Sequence, residues 1–163
     1  MRSRDVLEDC KQALADFQAA TNPVQWRIRW VTLIALLRCV GHVLKNIDRN
    51  QSAEWKEAVD EAWKRCNDTK PDPKILWEFI EAERNNVLKA YDVGAELDIR
   101  RSGAIMGFTP SIAAHQKNYD LTIESFMRSG PFSGDDAIEV CRQAIAFWEQ
   151  YLDEVEAAAT KAP

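Results

Sequence analysis

Apolar residues recur through most of this chain at intervals of three and four, the spacing that lines one face of a helix. Val6, Leu7, Cys10, Leu14 and Phe17 form the first such stripe and predict a helix over 4–20. Asn22-Pro23 stops it and opens the next, with asparagine as N-cap and proline at the first helical position. The second helix runs to about Ile47 on a stripe of Trp26, Trp30, Leu33, Leu37, Val40 and Leu44. Leu36, Val43 and Ile47 widen that stripe, which marks the helix as the central one. Its polar remainder is basic, with Arg27, Arg38, His42 and Lys45 on one side. Ser52 caps a third helix whose inner face is Trp55, Val59, Ala62, Trp63 and Cys66. A polar linker over 67–73 follows, and Asp72-Pro73 repeats the cap-then-proline opening. The fourth helix carries Leu76, Trp77, Phe79, Ile80, Val87, Leu88 and Tyr91, and Gly94 is expected to end it.

From Ala95 the period changes. Leu97 and Ile99 alternate with polar residues, Ser102-Gly103 reads as a turn, and 105–108 reads as a return strand. Tyr119, Leu121 and Ile123 alternate again. Gly130-Pro131-Phe132-Ser133-Gly134 then breaks the chain before a last helix over 135–158, striped by Ile138, Cys141, Ala144, Ile145, Trp148, Tyr151, Leu152 and Val155. Asp135 and Asp136 suit the positive end of its dipole. The expected fold is mainly α: a five-helix antiparallel bundle, 4–92 and 135–158, with a small β insertion at 95–130 between helices four and five. One domain spans all 163 residues.

Composition refines this picture. Hydrophobic residues make up 46% and charged residues 29%, so disorder is expected only at Met1-Arg2 and over 157–163. The net charge of −5 does not favour RNA as a partner, since nucleic-acid binders usually show a basic balance. Cys10, Cys39, Cys66 and Cys141 lack C-x-x-C spacing and read as reduced thiols of a cytoplasmic protein. The N-terminus lacks the apolar core of a signal peptide, and the most apolar run, 31–44, is read as a buried helix too short to span a bilayer.

The sharpest chemical feature lies on helix four. At 100° per residue, Arg84 falls between Ile80 and Leu88, near Trp77 and Tyr91, inside the apolar arc. Glu83 falls at its other edge, while Glu78, Asn85, Asn86 and Lys89 point away. A buried guanidinium needs a carboxylate, backbone carbonyls or a cleft, and Glu81 is on the correct side to reach it. Arg84, Glu83, Trp77 and Tyr91 are therefore the candidate ligand-binding residues.

Glu83-Arg84-Asn85-Asn86-Val87-Leu88-Lys89 also resembles a degenerate HEPN motif. That family of small α-helical domains carries an arginine, a polar residue, and a histidine a few positions later. The resemblance implies an α-helical domain and, for members with the full motif, a metal-independent endoribonuclease built across a dimer. Other members are non-catalytic antitoxin partners. Arg84 matches the arginine and Asn85 the polar residue, but Lys89 stands where histidine is expected, removing the group that would move a proton near neutral pH. His42, one turn from Arg38 on helix two, is the substitute such an enzyme would need. His115 has no evident partner. The segment 129–151 resembles the C-terminal part of small bacterial proteins of unknown activity.

Other chemistry finds little support. The Gly130–Gly134 turn has no G-K-[ST] sequence, and Asp135 and Asp136 would repel phosphate, so the turn is expected to anchor Phe132 on the core. Carboxylate pairs lack the Glu-x-x-His pattern of di-iron bundles; no metal and no cofactor is expected. The six tryptophans fall mostly on inner stripes and read as core, with one or two expected at an oligomer interface. The functional expectation is a non-enzymatic bacterial or phage protein that binds another macromolecule, of antitoxin, immunity or defence-inhibitor type. Its expected partner is a protein, its aromatic load suits a homodimer, and no membrane is involved. The alternatives are a HEPN-like ribonuclease using Arg84, Asn85 and His42, or a binder of a small anionic ligand at Arg84.

Overall fold

The computed structural model describes residues 1–102 and 120–161. Their order is α1 (Arg2–Gln18), α2 (Pro23–Asn46), a single 3-10 turn (Asp48–Asn50), α3 (Ala53–Asp68), α4 (Ala82–Ala90), β1 (Ala95–Ser102), β2 (Asp120–Met127) and α5 (Ala137–Lys161). A π-helical turn, Ile75–Glu81, leads directly into α4. The mainly α architecture, with a two-stranded sheet between the fourth and fifth helices, is the expected one.

The turn between α1 and α2 is fixed as the sequence requires. The Asn22 side chain accepts from the backbone N–H of Val24 and Gln25 at 3.1 and 2.9 Å. Phe17 can then pack on both Trp26 and Trp30, at centroid distances of 5.8 and 5.4 Å. α5 runs antiparallel to α1. Arg4 reaches Asp153 and Glu156 near the end of α5, while Lys11, two turns later, reaches Glu149 at 2.7 Å. α3 lies on the other flank of α5. Trp30, Leu33, Leu37, Val40, Val140, Ala144, Trp148 and Leu152 are fully buried where these elements meet.

Asp48 makes a connection that no local pattern announces. It is buried, and its carboxylate accepts from the backbone N–H of Arg2 and Ser3, both at 2.9 Å, and from Ser3 Oγ at 2.6 Å. Gln51 Nε2 donates to it as well, at 3.0 Å. The first turn of a helix leaves its N–H groups unpaired, and here a residue 45 positions away caps them. The helix accordingly starts at Arg2, where fraying was expected, and α5 stays helical to Lys161.

β1 pairs antiparallel with β2 in a register running from Ala95 opposite Met127 to Ser102 opposite Asp120. The partner strand is thus the later alternating stretch, and Ser102 is a strand residue where a turn was expected. The return strand expected at 105–108, the rest of that turn and His115 fall outside the described residues. The hairpin is tied to the bundle by Trp26 Nε1, which donates to the buried Ser125 Oγ at 2.9 Å, and the Arg128 N–H, which donates to Gly94 O at 2.8 Å, extends the strand pairing one step past Ala95 and Met127. Asp136 caps α5 through the Ile138 N–H, and Phe132 packs edge-on against Phe79, as the turn residues predict.

α2 departs from its expected place in one respect. It is central, but Val24 and Ile28 are 55% and 54% exposed, Ile47 is exposed, and Leu36 and Val43 are only half-buried. The 28-residue stretch Pro23–Asn50 is long and apolar enough to cross a bilayer, yet only 33% of its most apolar window is buried. The run called too short at 31–44 is therefore part of a longer apolar helix with one open face.

Candidate functional site

Glu83, not Arg84, is the charged residue sunk into the core at α4. It is 4% exposed, and its Oε1 accepts from Trp30 Nε1 at 2.9 Å and from the Gly94 N–H at 2.7 Å. On the 100° wheel Glu83 falls among the buried Leu76, Phe79, Ile80 and Val87, and Arg84 was drawn into the apolar arc only by Trp77, Leu88 and Tyr91, of which the last two are exposed. Arg84 is half-buried at the surface, and its Nη1 donates to Asn85 Oδ1 at 2.8 Å rather than to Glu81. Gly94 was expected to end the helix; instead α4 stops at Ala90, with Tyr91 left-handed at φ 51°. Gly94 serves a different need. A Cβ there would lie 2.1 Å from Glu83 Oε2, so only glycine lets the backbone come close enough to donate.

The other two residues expected beside Arg84 have different surroundings. Trp77 faces α3, where it tilts against Trp63 at 5.5 Å, donates from Nε1 to Cys66 O at 3.2 Å, and carries Lys70 Nζ 3.6 Å above its ring. Tyr91 is 61% exposed. The wheel therefore drew together four residues that the structure distributes over the core, the α3 side and the solvent.

A second grouping forms where α2 and α4 face each other. Partial burial lowers the pKa of His42 below its ordinary value, and the charges of Arg38, Arg84 and Lys45 lower it further, against a weaker opposing effect of Glu81. Two arginines, one from each helix, thus lie within electrostatic reach of one imidazole. Arg38 Nε is buried and has no hydrogen-bond partner among the described residues. The cations of α2 are Arg27, Arg29, Arg38 and Lys45, and the helix contains no carboxylate. Removing those four charges from the net −5 leaves −9 on the rest of the chain. Arg27, Arg38 and Lys45 share one side of α2, whereas Arg29 donates from Nη1 to Asp16 O on the α1 side; that side is a local cationic exception in an acidic molecule, and Val24 and Ile28 continue it as exposed apolar surface. Chemically it can hold an anion, and it keeps His42 unprotonated near neutral pH, able to accept a proton.

No group of three or more His, Cys, Asp or Glu suited to a metal occurs among the described residues. The four cysteines are free thiols; burial pushes Cys10 up to about 12 and Cys141 upward as well, so neither is a ready nucleophile. The sequence signalled the basic side of α2 and the Arg38/His42 spacing. It gave no sign that Arg84 would face them, because that depends on how α2 and α4 pack. No family model, no curated protein and no solved structure matches this chain.

Proposed function

We propose that this protein is a non-enzymatic, cytoplasmic binding protein that grips an anionic protein partner through the cationic and apolar face of α2, with Arg84 of α4 beside it. The observation that carries this reading is the unpaired Arg38 Nε, buried next to His42 and Arg84 on a helix without a single carboxylate. A guanidinium nitrogen hidden from water without an acceptor is costly, and an acidic partner supplies what is missing. The exposed Val24 and Ile28 give such a partner apolar surface to cover. Four free thiols suit a reducing compartment.

A photo-crosslinking residue placed at the exposed Ala35 tests the proposal in cells. One dominant acidic protein adduct is expected, lost on Arg38→Glu with Arg84→Glu. A crosslink pattern unchanged by that double charge reversal would overturn it.

The approach of Arg84 to His42 favours a second reading, a HEPN-like ribonuclease with Arg84 and Asn85 on phosphate and His42 as proton carrier. It requires cleavage of single-stranded RNA in excess chelator, abolished by Arg84→Ala and by His42→Ala in folded protein. RNA left intact by the purified wild-type chain rules it out.

A further inference from the structure

Two rows of opposite charge flank the open apolar strip of α2. At 100° per residue, Val24, Ile28 and Ala35 fall within about 40° of one another on that helix, and all three are exposed. Arg27, Arg38 and Lys45 follow on the flank away from α1, where Arg84 also stands. Arg29 marks the opposite flank through its bond to Asp16 O of α1. On α1, Asp5, Asp9 and Asp16 are exposed and again fall within about 40° of one another. They lie about 100° or more round the helix from Arg4 and Lys11, which hold α1 to α5, so the acidic row turns toward the α2 side. Arg2, at the open end of this row, offsets one of its three charges. None of the three aspartates and none of the three cations forms an ion pair among the described residues.

The two rows are matched in height. Arg29 and the contacts of Phe17 with Trp26 and Trp30 put Asp16 beside the first turns of α2, at the level of Arg27. Asp48 closes the first turn of α1, which puts Asp5 beside the far end of α2, toward Lys45. Asp9 lies between, as Arg38 does. A two-fold axis parallel to α2 keeps these heights and exchanges the flanks, so that each copy's acidic row covers the other's cations. An axis across α2 would set acid on acid and cation on cation. The surface is also large enough. With 24 residues, α2 is about 36 Å long, and two helices side by side are about 20 Å wide. That gives about 700 Å² per copy, close to the roughly 800 Å² of a standard stable interface. We infer that the occupant of the α2 face is a second copy of this chain: the two α2 helices pack in parallel along their apolar strips, and Asp5, Asp9 and Asp16 of each copy cover Arg27, Arg38 and Lys45 of the other. This rests on the reading of that face as a protein contact and names its partner.

Sedimentation equilibrium of the whole chain is expected to show a dimer that weakens as salt rises. Asp9→Lys with Asp16→Lys makes both rows basic, and Arg27→Glu with Lys45→Glu makes both acidic. All four positions are exposed, so each variant should keep its fold by circular dichroism. Each alone should dissociate at least tenfold more readily than wild type. An equimolar mixture should recover the wild-type affinity as a heterodimer, because both contacts then pair opposite charges. Mild oxidation of an Ile28→Cys variant should link position 28 to position 28 of the second copy. A wild-type chain that is monomeric at about 100 μM, a dimer indifferent to either reversal, a mixture that stays monomeric, or a link from position 28 to Cys39 would each overturn the inference. The Ala35 crosslinker separates this failure from that of the binding reading. A monomeric chain that still captures a different acidic protein through α2 loses the self-pairing and keeps the proposed function.

Discussion

Glu83 shows how much one residue can settle. Its carboxylate joins α4 to Trp30 of α2 and to the strand-leading backbone at Gly94, three parts of the chain that share no local pattern. Glu83→Ala should cost about 1–3 kcal/mol for each of the two donors left unpaired in the core, measured by denaturant unfolding. Gly94→Ala should cost about 1–3 kcal/mol by overpacking alone, because the added Cβ meets the same carboxylate. Full stability in either variant would show that the joint is not built as described. His42 makes a prediction of a different kind. Its folded pKa lies below the unfolded one, so the unfolded chain takes up the proton first as pH falls. The stability involved is intact above the ordinary histidine value and is lost progressively on acidification below it. The imidazole should titrate below 6.5 by NMR, and Arg84→Ala should move the midpoint upward. An unmoved midpoint would separate Arg84 from the cluster.

At the scale of elements, three helix N-termini are closed in two opposite ways. α2 and α3 carry their own caps, Asn22 and Ser52, within three residues of the N–H groups they satisfy. α1 borrows Asp48 from the 3-10 turn that follows α2. Asp48→Ala removes acceptors from two backbone donors, from Ser3 Oγ and from Gln51, and should cost more than an ordinary cap, about 2–4 kcal/mol. Amide exchange should rise first in the opening turn of α1, and protection there equal to wild type would refute the assignment. In the fourth helical stretch the π-turn's Leu76, Phe79 and Ile80 and α4's Glu83 and Val87 share one buried face, as a 3.6-residue period places them. Arg84 was misplaced because Leu88 and Tyr91, apolar by type, were counted into that face and are exposed.

Taken whole, the molecule combines an acidic surface with one helix that has no carboxylates and leaves apolar side chains in solvent. Substituting both Val24 and Ile28 by serine touches exposed positions only, so stability should stay within about 0.5 kcal/mol of wild type. Capture of the proposed partner should nevertheless fall several-fold, and binding should weaken as salt rises, since the rim charges are screened. A double serine variant that unfolds, or one that binds as well as wild type in high salt, would place the contact surface elsewhere.

The apolar periods alone determined the five helices, the alternating strand at 120–127 and most of the core, because burying one stripe per helix is the dominant demand on a chain of this composition. The asparagine and serine caps were legible for the same reason: cap and capped group are neighbours in sequence. Tertiary structure alone decided which of Glu83 and Arg84 goes inside, that Asp48 closes α1, and that Arg84 comes to stand near His42. Each depends on a partner distant in sequence, and side-chain spacing carries no record of it. The open face of α2 belongs to the same class, since an apolar stripe shows that a surface seeks cover but not whether its own chain supplies it.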